Sequence, residues 1–176
     1  MIFTSLSDLF LYNIEYMFGY LILIAGLTIL DQLTKAMISS NPSAFTNVEV
    51  IPGFFYITYV KNAGAAWSML SGQRVLLSLI SAAAVIGMLW VLQRTAAKKQ
   101  KLNSIALSLM IAGALGNLID RLMLGSVRDF LNFYIFGYDF PVFNVADICL
   151  TIGVGLLILA TILEPDSPKP EGQDHA

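Results

Sequence analysis

Histidine and cysteine are almost absent from this sequence, with one residue of each among 176. The single histidine, His175, stands in a polar C-terminal tail, which excludes a Ser-His-Asp triad and a histidine-bound metal site. Cys149 lies within an apolar run, so neither a disulfide framework nor a thiolate metal site can be assembled, and we expect a small buried side chain there. We therefore predict no metal and no other cofactor.

Charge is also scarce. Only 12% of the residues are charged and 57% are hydrophobic, whereas an average soluble domain is about 25% charged. The mean hydropathy of +0.73 indicates that the bilayer is the solvent of this protein. A formal net charge of −2 provides no basic field for nucleic acid. At this length we expect a single integral membrane domain over 1–176 and predict a monomer.

The sequence is rich in apolar stretches that are long enough to span a membrane. A transmembrane helix needs about 20 predominantly apolar residues. Four stretches meet this requirement, at residues 17–38, 75–93, 104–124 and 145–163. Together with their loops these spans use up nearly the whole chain and leave no room for a separate soluble domain.

Basic residues cluster between the second and third spans, where Arg94, Lys98, Lys99 and Lys101 lie close together. The positive-inside rule places this connection in the cytoplasm. Because the number of spans is even, both termini are expected in the cytoplasm too. The connections between spans one and two and between spans three and four then face outward.

Segments outside the spans have distinct compositions. Phe54–Val60 has strong strand propensity and predicts a small sheet at the outer interface. The apolar-rich residues 130–136 are interpreted as a short interfacial helix or lid. Residues 1–16 are expected to lie along the interface as an amphipathic segment, and the tail 164–176 is predicted to be disordered.

Polar residues within or next to the spans gather near one level of the membrane, toward the outer surface, if helices rise about 1.5 Å per residue. Polar groups in a membrane are costly and mark candidate functional sites. The alternative is that they form interhelical hydrogen bonds and ion pairs, above all Asp31 with Lys35 and Asp120 with Arg121. The group comprises Asp31, Lys35, Asn62, Asn117, Asp120, Arg121, Arg128, Asp129, Asn144 and Asp147.

Asp129 and Asp147 lack an obvious basic partner on their own helical faces. Two carboxylates facing one cavity suit acid and base work, because one keeps a proton while the other accepts one from water. The two aspartates are therefore a candidate aspartic peptidase dyad. A Ser/Lys pair, with Lys35 as the base and Ser68 or Ser71 as the nucleophile, is a weaker alternative.

A membrane transporter or channel is the alternative function. A conduction path should have polar groups on both sides of the membrane midplane. The inner halves of the four spans are almost wholly apolar, so the sequence favours an enzyme over a transporter.

Five blocks of the sequence together resemble the lipoprotein signal peptidases, also called signal peptidase II, from span one to span four. Single blocks are weak signals, but the five follow the order of the family. They are Asp31-Gln32-Leu33-Thr34-Lys35, residues 62–67 (NAGAAW), residues 113–121 (GALGNLIDR), residues 127–130 (VRDF) and residues 143–147 (FNVAD). Ala112 stands where the family often has a glycine, which affects only local helix packing.

The resemblance implies that Asp129 and Asp147 are catalytic. It implies further that Asn62, Gly64, Asn117, Arg121 and Asn144 bind substrate, while Asp31, Lys35 and Asp120 support them. The expected substrates are prolipoproteins whose cysteine carries a diacylglyceryl group, cleaved just before that cysteine within the bacterial cytoplasmic membrane and in contact with membrane lipid. The predicted fold class is an all-α membrane protein: four transmembrane helices with a small extracytoplasmic β-sheet cradle and a short interfacial helix.

Overall fold

Four long helices make up most of the computed structural model, which describes residues 6–64, 70 and 72–163. The tail 164–176, residues 1–5, Ser68 and Ser71 lie outside the described residues. The helices are α1 (Leu6–Ser39), α2 (Arg74–Ala97), α3 (Lys101–Leu124) and α4 (Val145–Leu163). Residues 6–16, expected as a separate interfacial segment, are continuous with the first span in α1.

Each helix is long and apolar enough to cross a membrane. The qualifying segments are Met17–Ser39, Arg74–Ala97, Lys101–Leu124 and Val145–Leu163. They contain the four apolar stretches recognised in the sequence, so the prediction of four membrane helices is confirmed. Many apolar side chains on α1, α2 and α4 are exposed on the outside of the bundle, as a lipid-facing surface requires.

Helix α3 is the centre of the bundle. In its most apolar stretch 56% of the residues are buried, against 22% in each of the other three helices. It packs against α1, α2 and α4. Small residues permit this close approach: a Cβ atom added at Gly153 of α4 would lie 2.6 Å from Cγ of Met110. Gly113 and Gly116 approach Ala146 and Asp31 in the same way.

The connections between α1 and α2 and between α3 and α4 form an antiparallel sheet of four strands. Its strands are β1 (Val48–Ile51), β2 (Phe55–Asn62), β3 (Val127–Ile135) and β4 (Tyr138–Asp139), in the order β1-β2-β3-β4. A short 3-10 helix, Pro42–Phe45, precedes β1. The predicted sheet is confirmed, and its strand β2 contains most of the expected segment.

The short interfacial helix predicted over 130–136 is wrong, because residues 130–135 belong to β3. Its aromatic side chains make cross-strand pairs: Phe55 lies opposite Phe133, with ring centroids 4.6 Å apart. Pairing with β2 satisfies the main-chain groups of β3, and the Phe143 carbonyl accepts further hydrogen bonds from the Phe130 and Leu131 amides.

The topology brings several chain segments to one place. Helix α3 ends at Gly125, whose φ of +80° turns the chain directly into β3. Asn62 at the end of β2 pairs with Val127 at the start of β3. Helix α4 begins next to α3, since the Ala146 carbonyl lies against Gly113. Asp129, two residues after Val127, therefore comes close to the first turn of α4.

Candidate active site

Asp129 and Asp147 line the same cavity, which has a volume of about 720 Å³. Asp129 comes from β3 and Asp147 from the first turn of α4. Asn62, Asn117 and Arg121 are the other amide and charged side chains in the wall. The rest of the wall is mostly apolar: Val60, Val127, Phe140, Pro141, Val142, Phe143, Ile148, Leu150, Thr151 and Ile152. The cavity thus combines two carboxylates with a wall suited to an apolar ligand.

Two asparagines hold the Asp129 carboxylate. Asn62 Nδ2 donates to Oδ2 at 3.0 Å, and Asn144 Nδ2 donates to Oδ1 at 2.6 Å. The side chain is almost fully buried, with 3% of its surface exposed. Each carboxylate oxygen therefore has a fixed partner, which sets the orientation of the group.

Asp147 is held by the start of its own helix and by α3. Asn144 precedes α4, and its Oδ1 accepts from the Asp147 amide at 3.0 Å while Asp147 Oδ2 accepts from the Asn144 amide at 3.1 Å. This reciprocal pair is a capping box. Asn117 Nδ2 donates to Asp147 Oδ1 at 2.8 Å. The local helix start thus fixes the position of a carboxylate in the cavity wall.

Asn144 links the two aspartates. Its amide group donates to Asp129 Oδ1 and to Asn117 Oδ1, and Asn117 in turn donates to Asp147. Asn144 is fully buried, so this link is shielded from water. The two carboxylates are thus connected through the side-chain amides of Asn144 and Asn117.

Burial, and to a smaller extent the negative charge of Asp147, raise the pKa of Asp129 from 3.8 to about 7. The hydrogen bonds from Asn62 and Asn144 act in the opposite direction but are too weak to compensate. Asp129 is therefore a carboxyl group that holds a proton close to neutral pH. Such a group is suited to general acid chemistry.

Lys35 lies behind the aspartates and carries no exposed surface. Its Nζ lies 2.9 Å from Asp31 Oδ2 and 3.8 Å from Asp120 Oδ2, and it donates to Asn117 Oδ1 at 2.9 Å. The predicted ion pair of Asp31 with Lys35 is confirmed. The lysine also reaches the active-site cavity indirectly, because Asn117 is the partner of Asp147.

Asp120 pairs with Arg128, not with its neighbour Arg121 as the sequence suggested. Arg128 Nη2 lies 2.6 Å from Asp120 Oδ1, and the Arg128 amide donates to Oδ2 at 2.9 Å. Gln32 joins this pair, accepting from Arg128 and donating to Asp120. Successive side chains of a strand point to opposite faces, so Arg128 faces Asp120 while Asp129 faces the cavity.

Arg121 is left free to line the cavity. Its Nη2 donates to the Gly64 carbonyl at 3.0 Å, and its Nε is buried without a hydrogen-bond partner among the residues that the structure describes. The guanidinium is attracted by the charges of Asp147 and Asp129. Arg121 therefore places a cation in the cavity wall.

The chain matches a known protein family over most of its length. A family model described as signal peptidase (SPase) II matches residues 23–163, which include most of the first span, the other three spans and the whole sheet. The chain belongs to the signal peptidase II family. It is thus a multi-pass membrane protein of a peptidase family, and the predicted resemblance is confirmed.

Individual relatives agree with this assignment. A lipoprotein signal peptidase of Symbiobacterium thermophilum is 45% identical over 135 residues, covering 77% of this chain and 88% of the relative. One from Staphylococcus aureus strain JH9 is 42% identical over 156 residues, covering 88% and 95%. A solved bacterial membrane enzyme superposes with a TM-score of 0.76 at 38% identity, covering 88% of this chain and 93% of that structure.

The structure brings the predicted signal peptidase II site residues together. Asn62, Asn117, Arg121, Asp129 and Asp147 line one cavity, Asn144 bridges the aspartates, and Gly64 contacts Arg121. Asp31, Lys35 and Asp120 form the charged cluster behind them. No role was predicted for Gln32, and Arg128 was not predicted to be the partner of Asp120. The Asp31-Gln32 block could have pointed to Gln32, but nothing local indicates its partner 88 residues away.

Neither alternative from the sequence gains support in this signal peptidase II chain. Lys35 is buried in an ion pair and bonded to Asn117, which leaves it unsuited to act as the base of a Ser/Lys pair. Ser68 and Ser71 lie outside the described residues. The transporter is not favoured by the family match or by the solved structures that resemble this chain.

Proposed function

We propose that this protein is an aspartic endopeptidase that removes the signal peptide from diacylglyceryl-modified prolipoproteins, cutting just before the lipidated cysteine. The observation that carries the proposal is the pair Asp129 and Asp147, facing one cavity and linked through Asn144. Membership of the signal peptidase II family and relatives named lipoprotein signal peptidases support the same reaction.

The proposed mechanism uses one carboxyl group and one carboxylate. Asp129, with a pKa of about 7, holds the proton and donates a hydrogen bond to the scissile carbonyl. Asp147 takes a proton from a water molecule, which attacks the carbonyl carbon, and the tetrahedral intermediate collapses as the leaving amine is protonated. No covalent acyl-enzyme forms. The water molecule supplies the hydroxyl group of the new carboxyl terminus and a proton of the new amino terminus.

The surrounding residues have distinct roles in this proposal. Asn117 and Asn144 orient the two carboxyl groups, and Asn62 fixes Asp129. Arg121, whose side chain is held by the Gly64 carbonyl, forms part of the polar wall that receives the peptide. The apolar wall from Phe140 to Phe143 and from Ile148 to Ile152 suits the acyl chains and the signal peptide.

The proposed topology places the chemistry at the outer membrane face. The basic connection between α2 and α3 supports a cytoplasmic position for that turn and for both termini. The ends of α1 and α3 and the start of α4 lie at the opposite end of the bundle, next to the sheet. At that level a signal peptide and two acyl chains can stay in lipid while water reaches the peptide bond.

A cleavage assay with matched precursors tests the proposed function. Purified protein should cleave a diacylated prolipoprotein to a smaller product on a gel, with the diacylated cysteine as the new N-terminus by mass spectrometry. The same precursor with serine in place of that cysteine cannot be lipidated, and we expect its cleavage to be slower by roughly a hundredfold or more, because remote binding energy is lost. Equal cleavage of the two precursors would exclude recognition of the lipid.

Asp129 gives the reaction a pH dependence. Its pKa is about 7 in the folded protein, above the ordinary 3.8, so the proton stays on up to neutrality and is lost as the pH rises further. If the proton on Asp129 is required, kcat falls about tenfold per pH unit above that pKa. Single-turnover rates between about pH 6 and 9 measure this limb. Asp139→Asn on the exposed strand β4 should keep the limb, and a flat profile in wild type would contradict the assignment.

A further inference from the structure

Arg74, the first residue of α2, caps the end of α3. Its Nε donates to the Arg121 carbonyl at 2.7 Å, and its Nη2 donates to the Leu122 carbonyl. Both carbonyls belong to the last turn of α3, where main-chain oxygens run short of partners within the helix. A cation is also favourable there, because the C-terminal end of the helix dipole is negative.

The side chains of the last turn of α3 pack loosely against the rest of the bundle. Leu122, Met123 and Leu124 are exposed by 58%, 77% and 54% of their surfaces, so their side chains make few contacts within the bundle. Gly125 then adopts a left-handed conformation and ends the helix. Ends of helices with few packing contacts fray readily. The Arg121 carbonyl also accepts from the Gly125 amide at 3.2 Å, and the two hydrogen bonds from Arg74 add to this contact and tie the turn to α2.

The position of this turn matters for the cavity because it carries Arg121. While the Arg121 carbonyl is held by Arg74, its guanidinium extends into the cavity wall and donates to the Gly64 carbonyl. Gly64 and Arg74 thus contact the same residue of α3: the Gly64 carbonyl accepts from the Arg121 side chain, and the Arg74 side chain donates to the Arg121 carbonyl. The neighbouring residues are also connected, because the Gly72 amide donates to the Ala63 carbonyl at 3.3 Å.

We propose that Arg74 is a positioning residue for substrate binding: it holds the main chain of Arg121, and through Arg121 it sets the polar wall of the cavity. This inference rests on the proposed function. Arg74 does not line the cavity, so it acts on the substrate only through Arg121 and Gly64. The two aspartates are held by Asn62, Asn117 and Asn144, whereas the hydrogen bonds of Arg74 go to the main chain at the end of α3.

The geometry predicts a separation of KM from kcat. Arg74→Met removes both hydrogen bonds and the charge, the last turn of α3 loosens, and the KM for a diacylated precursor should rise about tenfold, since small displacements of a binding group have effects of this size. Because the aspartates keep their own partners, kcat should change less than about threefold. Arg94→Met is the matched control, since Arg94 lies near the far end of α2, stacked on Trp90, and should leave both constants unchanged.

A double-mutant cycle with Arg121→Met tests the route of the effect. If Arg74 acts through Arg121, its replacement in the Arg121→Met background should add little further loss, whereas independent sites would show additive losses. Additive losses, or a fall confined to kcat, would overturn the inference. If Arg74→Met is not recovered as a folded protein, Arg74→Gln in the same cycle decides, since it keeps one donor and removes the charge.

Hydrogen exchange separates failure of this inference from failure of the proposed function. The amides of residues 121–125 should exchange about tenfold faster in Arg74→Met than in wild type or Arg94→Met, whatever the protein cleaves. If wild type fails to cleave the lipidated precursor, the proposed function is lost. If wild type cleaves and Arg74→Met shows unchanged exchange and an unchanged KM, the positioning role is lost and the proposed function stands.

Discussion

Replacing Asp129 or Asp147 with asparagine is expected to lower the cleavage rate of a diacylated precursor roughly a thousandfold or more. Each variant keeps the size of the side chain but removes one of the two groups that exchange protons with water and the scissile bond. The measurement is single-turnover cleavage by purified protein, with each variant at a concentration above that of the precursor. Asp139→Asn, on the exposed strand β4, is the matched control and should cleave at the wild-type rate.

The same two variants are expected to keep their stability although they lose activity. Asp129 is buried and its ionised form is disfavoured by the charge of Asp147, so a neutral amide at either position removes an unfavourable interaction. Both oxygens of each aspartate accept hydrogen bonds, however, and the amide NH2 that replaces one oxygen loses an accepted bond. Because these two effects oppose each other, the thermal midpoint in detergent should change little. Loss of cleavage with little change in the midpoint supports a catalytic role, whereas loss of both would point to a structural role. Normal processing by either variant would refute the dyad.

Lys35→Met is expected to destabilise the folded protein by about 3–5 kcal/mol, because breaking a buried ion pair leaves an uncompensated charge. The lysine is fully buried and lies 2.9 Å from Asp31, which is also buried. Asp120 keeps its partner Arg128, so Asp31 bears most of the loss. The thermal midpoint of purified protein measures the effect, with Lys101→Met in the exposed first turn of α3 as the control.

A second substitution tests the cause of this destabilisation. Adding Asp31→Asn to Lys35→Met removes the uncompensated carboxylate and should recover part of the lost stability. Cleavage should recover less, because Asn117 Oδ1 has still lost the donor that Lys35 provided and Asn117 orients Asp147. A midpoint for Lys35→Met equal to that of wild type would show that this ion pair contributes nothing to folding.

The charged cluster explains how a membrane bundle holds a polar site. Asp31 Oδ1 accepts from the Ala146 amide at 2.9 Å, which supplies a partner to a main-chain donor in the first turn of α4. Lys35 and Gln32 connect α1 to α3 at the same level. Because water does not reach these groups, each hydrogen bond lost would leave a buried polar atom unsatisfied. Helix α4 is therefore fixed at the turn that carries Asp147.

The sequence by itself determined the four spans, most of β2 and the polar residues of the site. These features depend on short-range properties. A run of about 20 apolar residues must form a helix in lipid, since only a helix satisfies its own main-chain groups there. Polar residues three or four positions apart share a helix face, so the pairs Asn144 with Asp147 and Asp31 with Lys35 could be recognised from spacing.

Only the tertiary structure decided how those residues pair. Residues 130–136 have an apolar composition that fits a helix or a strand, and the partner strand β2 selects the strand. That choice turns Arg128 away from Asp129 and toward Asp120. Arg74 meets the Arg121 carbonyl 47 residues away, a distance over which no local pattern in the sequence carries information. Long-range contacts depend on packing of the whole bundle, because neither partner alone specifies which main-chain group it will meet.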